Sequence, residues 1–298
     1  MLCLTLPLFP GYSFYRNVSY QPGEASYQDL PSYFTDKEFA KYPVRIGKSD
    51  VPQLTAEGAF IIDVDSAVPI YEKDSHKILY PASTTKMMTA LVARETYQLN
   101  DVLQVPEATY SGSTMKLFPG EKITVKNLLY GLLINSGNDA AEVLAERYPS
   151  GREGFIARMN EKSSELGLRN SAFVNPSGLP ENGHVSSAWD LGQLAAVLMK
   201  DEEIRPIVRT VETTVYGAGG ERHVLKSTNK LLGTINGLDG VKTGYTDEAG
   251  EVLVSSVMRN NKRIVVVLLK SNDRFGETKQ LVDWVYANHE WRDIKPKM

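Results

Sequence analysis

The chain is poor in cysteine, histidine, surplus positive charge and long apolar runs, and each shortage removes a class of function. Cys3 is the single cysteine among 298 residues. It has no partner within the chain, so a disulfide scaffold is excluded and cysteine usage is silent about redox compartment. Four histidines (His76, His184, His223, His289) and that one thiol give little material for a metal cluster or a Cys nucleophile, and no metal or cofactor is expected. Lys and Arg total 33 against 36 Asp and Glu, a net charge of −3, whereas a nucleic-acid binder needs a basic surplus on one face. No stretch approaches the roughly 20 apolar residues that cross a bilayer, and no Gly-rich phosphate loop follows a strand. With 42% hydrophobic residues the chain is not disordered. A domain of this size buries roughly 75% of its unfolded surface, enough for a large core without staples.

Met1–Phe9 is apolar but lacks a basic flank and carries Pro7. It reads either as the tail of a signal or anchor beginning upstream or as a frayed tail packed on the domain. Residues 11–57 show no sustained period and read as an irregular arm with one short helix near Asp36–Lys41. From Gly58 the pattern is regular. Ala59–Val64 and Val68–Tyr71 read as a hairpin. Ser83 opens a helical run through Met87, Met88, Leu91 and Val92 that ends near Leu99-Asn100. Thr124 caps a helix through Ile134, Ser150 with Glu153 and Ser187 with Asp190 look like capping boxes, and Gly167 closes the helix that Ser150 begins. Strands return at Thr213–Tyr216, Leu238–Thr243, Val252–Val257 and Ile264–Leu269, before a last helix carrying Leu281, Val282, Val285 and Tyr286. Strands at both ends with helices between predict an α+β fold: one antiparallel sheet completed by sequence-distant strands, a helical insert beside it and a cleft between the two.

With so little histidine, a serine nucleophile served by another base is the chemistry to test. Ser83-Thr84-Thr85-Lys86 fits S-x-x-K, but so do Ser113–Lys116 and Ser227–Lys230. Only Ser83 begins an amphipathic helix, where a three-residue step puts serine and lysine on one face. Taken alone, Ser83 is equally an ordinary N-cap. For Lys86 to act as a base near neutrality its pKa must fall about 3 units, at about 4 kcal/mol. A helix terminus supplies only about 0.3–1 kcal/mol, so burial and a second cation are needed. Lys242-Thr243-Gly244, on a predicted strand, supplies that cation, and Gly244 leaves room for a substrate backbone. On its own Lys242 is a strand-end lysine beside a turn. Ser136-Gly137-Asn138 lies at the break between two helices, where the bland reading is a helix end and a cap.

In this order and on these elements the three motifs match those of penicillin-binding proteins and class A β-lactamases. The sequence resembles the low-molecular-mass penicillin-binding proteins of the serine D-alanyl-D-alanine carboxypeptidase family (peptidase family S11). The likeness extends through Pro81–Ala90, Asn135–Ala141, Asn175–Leu179, Ser227–Leu232 and Asp239–Thr246, and covers about Ala56 to Ala287. It implies a β-lactamase/transpeptidase-like α+β fold with a five-stranded antiparallel sheet, and residues 56–290 as the serine D,D-peptidase domain. Residues 1–55 are then an N-terminal arm, and residues 291–298 a short tail with no C-terminal β domain or anchor.

The resemblance also implies an acyl-enzyme mechanism on the peptidoglycan stem peptide, without a cofactor. Ser83 attacks the D-Ala-D-Ala bond and Lys86 takes its proton. Ser136, held by Lys86 and Lys242, relays a proton toward the leaving amine, and Asn138 holds the acyl side of the substrate and fixes Lys86. Lys242 and Thr243 hold the terminal carboxylate, with Gly244 giving access, and Arg274 either attracts that carboxylate or serves the surface. The backbone N–H groups of Ser83 and Tyr245 form the oxyanion hole. β-Lactams trap Ser83 because they imitate the same bond. His184 fixes a loop, His76 and His289 are solvated, and His223 sits in a Gly-rich turn. The competing readings are a D,D-endopeptidase cleaving cross-links, a class A-like β-lactamase, and an idle wall-scaffolding protein. Against the β-lactamase, Gly137 replaces the Asp of S-D-N, and Glu181 is followed four residues on by Val185 instead of Asn. The substrate implies export to the periplasm or cell exterior, with membrane contact only through an N-terminal anchor.

Overall fold

A computed structural model describes residues 41–293. The apolar Met1–Phe9 segment and, except for Lys41, the helix expected near Asp36–Lys41 lie outside these residues. The elements in chain order are β1 (Tyr42–Arg45), β2 (Gly58–Asp63), β3 (Pro69–Lys73), a 3₁₀ turn (Ala82–Thr85), α1 (Lys86–Thr96), β4 (Val102–Gln104), β5 (Lys122–Thr124), α2 (Val125–Leu133), α3 (Asn138–Glu146), α4 (Gly151–Glu165), α5 (Ala188–Leu198), α6 (Ile204–Val208), β6 (Glu212–Tyr216), β7 (Arg222–Lys226), β8 (Leu238–Thr246), β9 (Gly250–Arg259), β10 (Lys262–Ser271), α7 (Arg274–Asn288) and β11 (His289–Arg292).

The main sheet runs β3-β2-β10-β9-β8, antiparallel throughout. β2 pairs with β10 across some 200 residues of chain, in the register Phe60↔Val267 and Ile62↔Val265. Alternate residues of these strands face opposite layers. Phe60, Ile62, Val265 and Val267 belong to the core shared with α1, α2, α3 and α5, whereas Ala59, Ile61, Ile264, Val266 and Leu268 pack with Leu281, Val282 and Val285 of α7. Both faces are covered, which is why β10 reads as an unbroken apolar run. Each such side chain contributes about 1.5–3 kcal/mol when fully buried. Sequence-distant strands therefore do complete one sheet, and β8 forms its edge beside the turn that carries Ser83.

Several local expectations change. The Ser83 segment is a 3₁₀ turn, and α1 begins only at Lys86. Ala82 has left-handed backbone (φ 47°) and the Thr84 hydroxyl donates to Pro81 O at 2.6 Å, a side-chain bond that competes with helical pairing. α1 ends at Thr96, short of Leu99, because Tyr97 turns extended and its hydroxyl donates to Leu144 O. Thr124 and Ser187 cap α2 and α5, each accepting from a backbone N–H three residues on. Ser150 makes no such bond, since Gly151 (φ 72°) redirects the chain there. Tyr42–Arg45, read as irregular arm, is a strand paired with His289–Arg292. The β4–β5 pair and α6 are additional elements.

His223 is corrected most. It lies on β7, not in a Gly-rich turn, and is buried with Nε2 2.7 Å from Glu121 Oε1 and Nδ1 3.1 Å from Met115 O. His289 is likewise buried, its Nδ1 3.1 Å from Val285 O, whereas His76 is exposed against Trp189 as expected.

Candidate active site

Four separated pieces of chain enclose the Ser83 hydroxyl. The 3₁₀ turn supplies Ser83, partly accessible, and three residues on, the first residue of α1 supplies Lys86, which is 0% exposed. Lys86 Nζ lies 3.1 Å from Ser83 Oγ, 2.6 Å from Asn138 Oδ1 and 2.5 Å from Ser177 O. Burial is the main cause holding the Lys86 pKa well below its usual value, and the Lys242 charge adds to it, while Asp139 and Glu142 pull the other way. A neutral amine has two N–H groups and one lone pair. Asn138 and Ser177 accept the two N–H bonds, which leaves the lone pair for the Ser83 hydroxyl.

Asn138 opens α3 and is itself fixed, its Nδ2 donating to Ser111 O at 2.8 Å and its backbone N to Ser113 O at 2.7 Å. Next to it, the Asp139 carboxylate accepts from the Met115 and Leu117 amides, so the 111–117 loop is bound to the start of α3. Ser136 sits in left-handed backbone (φ 61°) between α2 and α3. Such a conformation costs about 1 kcal/mol for a non-glycine residue and persists only where its surroundings impose it. A Cβ at Gly137 would stand 2.8 Å from Asp139 Oδ1 and 3.3 Å from Met115 N. Glycine in place of the Asp of S-D-N thus answers a local shortage of space.

The edge strand β8 brings Lys242, 1% exposed, whose Nζ donates to Ser136 Oγ at 3.0 Å and Thr243 O at 2.8 Å. An ammonium there has a third N–H to spare. Burial, followed by the Arg274 charge, lowers the Lys242 pKa to about 7. Thr243 Oγ1 lies 2.6 Å from Thr228 Oγ1, so the Ser227–Asn229 loop touches the site. Gly244 packs on the turn itself: a Cβ there would be 3.1 Å from Ser83 N and 3.0 Å from Ala82 Cβ. Tyr245 turns its side chain to solvent, 61% exposed, with its hydroxyl toward Asp247. Arg274, the first residue of α7, donates from Nη1 to Gly244 O at 2.6 Å. Its guanidinium is thereby tied to the backbone of β8 next to Tyr245.

The Asn175–Gly178 segment is the part whose role the motifs did not reveal. Asn175 Oδ1 accepts from the Ser177 and Gly178 amides, a local turn that aims the Ser177 carbonyl at Lys86. Gly178 has φ 84°, and a Cβ there would fall 1.9 Å from Ala82 O, one residue before Ser83. A Gly178→Ala chain is therefore expected to lose about 100-fold in penicillin acylation rate, since displacements of about 1 Å cost that much. Stopped-flow acylation beside a thermal melt separates this from simple unfolding. His184 fixes the same loop, as anticipated. Its Nδ1 accepts from Val174 N at 3.2 Å, so Nε2 carries the proton and donates to Thr85 Oγ1 at 2.7 Å. Glu181 is exposed and accepts from Asn175 Nδ2, a brace outside the Lys86 cluster.

Burial lowers the His184 pKa from 6.5 to about 4, with Glu181 opposing and Lys86 assisting. Between these values the unfolded chain binds a proton that the folded chain refuses, so stability falls as pH drops from 6.5 toward 4. The full difference corresponds to about 3 kcal/mol. Melts in a pH series should show this slope, and should show less of it in His184→Asn, whose amide oxygen can still accept from Val174.

A lysine-served serine in an α+β frame, with a second buried lysine on the sheet edge, defines the class of β-lactamase-like active-site-serine proteins. The family model for D-alanyl-D-alanine carboxypeptidase, peptidase S11, matches residues 46–273, and the chain belongs to that family. The D-alanyl-D-alanine carboxypeptidase DacF of Bacillus subtilis (strain 168) is 37% identical over 245 residues, which are 79% of this chain and 63% of that protein. The chain thus spans less than two thirds of that relative's length. The crystal structure of the Streptomyces K15 DD-transpeptidase is 30% identical and superposes with a TM-score of 0.76 over 80% of this chain and 100% of its own. Penicillin-binding protein D2 of Listeria monocytogenes, solved in an ampicillin-bound form, is also 30% identical, with a TM-score of 0.71 over 80% of this chain and 100% of its own.

Proposed function

We propose that the chain is a serine D,D-carboxypeptidase that removes the terminal D-Ala of peptidoglycan stem pentapeptides through an acyl-enzyme on Ser83. The observation that carries this reading is the arrangement about Lys86: two acceptors for its N–H groups and a lone pair left for the Ser83 proton. The Ser83 oxygen attacks the penultimate D-Ala carbonyl while Lys86 takes the proton, and the oxyanion forms against the Ser83 and Tyr245 amides. Ser136, hydrogen-bonded by Lys242, passes a proton to the leaving D-Ala nitrogen as the C–N bond breaks. Lys242 and Thr243 bind the carboxylate that leaves with it, and Arg274 adds field while holding the Gly244 carbonyl. Water then attacks the ester and frees Ser83. β-Lactams acylate Ser83 in the same way, and the substrate places the protein outside the cytoplasm. Among the described residues no helix is long and apolar enough to cross a membrane.

Mass spectrometry of muropeptides after incubation tests the reading. Loss of one alanine from monomeric pentapeptides is expected, whereas splitting of cross-linked dimers with pentapeptides untouched would transfer the site to an endopeptidase. The carboxylate role of Lys242 predicts a pH effect. Free enzyme loses the Lys242 proton near pH 7, so kcat/KM should decline above that point. The bound carboxylate favours the ammonium, so the corresponding limb of kcat should lie at higher pH.

A further inference from the structure

Glu121 and His223 form a buried pair that the acylation steps above do not use. His223 Nε2 lies 2.7 Å from Glu121 Oε1, and both side chains are shut off from solvent. On the other side of the ring, Nδ1 faces Met115 O at 3.1 Å. A carbonyl only accepts, so Nδ1 carries a proton and donates it. The second carboxyl oxygen of Glu121 accepts from the Phe118 amide at 3.0 Å. Gly217, in the turn between β6 and β7, covers the pair, and a Cβ there would run into Glu121 Oε1. Every polar atom of the two side chains therefore has a partner, as a buried polar pair requires.

Both partners belong to segments that reach the reacting groups. Met115 and Phe118 lie in the loop that closes on the start of α3, where Ser111 O and Ser113 O accept from the side chain and backbone of Asn138. Met115 is gripped at both of its backbone groups, its N–H by Asp139 and its carbonyl by His223. From His223, β7 runs to Lys226 and passes into Ser227–Asn229, where Thr228 meets Thr243 and its amide donates to Ile134 O at the end of α2. The pair thus ties the wall of the cleft that carries Asn138 to the wall that carries Thr243. Asn138, in turn, accepts one N–H of Lys86.

We propose that Glu121 and His223 are positioning residues for acylation: their bond fixes the register of the 111–117 loop, and through it the direction from which Asn138 Oδ1 meets Lys86 Nζ. The inference rests on the acyl-enzyme reading and adds a control on the base from outside the cleft. What the pair requires is one hydrogen between Nε2 and its partner, together with an acceptor for Phe118; it does not require a net charge. Glutamine at position 121 meets both demands, since its amide N–H donates to Nε2 while its oxygen accepts from Phe118. A brace with no line to the base would change stability alone, whereas this one changes a rate through Asn138.

The second-order rate of acylation by a fluorescent penicillin, with a thermal melt on each chain, reads the effect. Glu121→Gln should acylate within about twofold of wild type. Adding His223→Phe keeps the ring volume and leaves no unpaired charge buried, yet it should slow acylation by about 10- to 100-fold, as displacements approaching 1 Å do. In an Asn138→Ala background the same His223→Phe step should cost less than about twofold, because the residue through which the pair acts is gone. Equal fold losses in the two backgrounds, no loss in the first, or a Glu121→Gln chain as slow as the double variant overturns the positioning role, whatever the melts show. The ¹⁵N resonance of Lys86 Nζ reads the same contact without turnover: the double variant should displace it from its wild-type position, and an unmoved resonance overturns the role. If penicillin acylates none of the chains, the acyl-enzyme reading fails and this resonance alone decides the pair. Should the double variant not fold, hydrogen exchange in wild type decides: the Met115 and Phe118 amides are expected to be protected, and exchange at the free-peptide rate would show a loop that nothing holds.

Discussion

Ser83→Ala is expected to abolish covalent labelling by a fluorescent penicillin and to lower D-Ala release by about 10⁴-fold or more, as removal of a catalytic serine does elsewhere. The change deletes one partly exposed hydroxyl whose hydrogen-bond partner within the chain is Lys86 Nζ at 3.1 Å. The melting transition should therefore move by no more than about 1 kcal/mol. Labelling that survived would mean another nucleophile. The two other S-x-x-K serines are the sequence alternatives, and the structure gives each a different task. Ser113 lends its carbonyl to the Asn138 amide, and Ser227 accepts from the Asn229 amide.

Lys86→Met carries the second large effect. Methionine keeps most of the buried volume but has no lone pair for the Ser83 proton, and general-base loss costs about 10²–10⁴-fold. Acylation by penicillin should slow by about 10³-fold while the adduct mass stays the same. Stability should respond with a definite sign. In wild type the unfolded chain holds the lysine proton up to about pH 10.5, whereas the folded chain gives it up well below that. Wild-type stability therefore rises with pH across this window. Any stability advantage of Lys86→Met should shrink as pH rises from 7 to 10, by chemical denaturation at each pH. A constant difference would mean that Lys86 is charged in the fold.

The parts of the site that could be read from sequence were those encoded locally. A three-step Ser–Lys spacing survives even though the segment is a 3₁₀ turn followed by a helix, because both geometries keep i and i+3 on one side. Lys242 could be expected because a neutral Lys86 needs a cation nearby, and the terminal strands had to pair to complete the sheet. The Ser177 carbonyl could not, since a backbone oxygen leaves no mark in composition. Only Asn175 and Gly178, two turn-forming residues three apart, hint at its placement. His223 was misread because Gly219 and Gly220 dominate its neighbourhood in sequence, whereas hairpin pairing with β6 turns it inward to Glu121. Tyr42–Arg45 gave no signal because a four-residue strand in a two-stranded pair takes its stability from its partner at His289–Arg292.

Arg274 shows how a placed residue can acquire a second task. It stands near Lys242, whose pKa it depresses, yet its direct bond is to the Gly244 carbonyl. Its charge and its hold on β8 both serve the end of the strand where the carboxylate would lie, and Gly244 cannot carry a Cβ without meeting the amide of Ser83 at 3.1 Å.

The most direct measurement is the protonation of Lys86 itself, followed as the Nζ resonance of ¹⁵N-lysine-labelled protein across a pH titration and assigned by its loss in Lys86→Met. The Lys86 resonance is expected to pass from the ammonium to the amine position well below pH 10.5, with a separate resonance from Lys242 losing its proton near pH 7. A Lys86 resonance that stayed at the ammonium position to pH 9 would contradict the account, because no base would then stand beside Ser83.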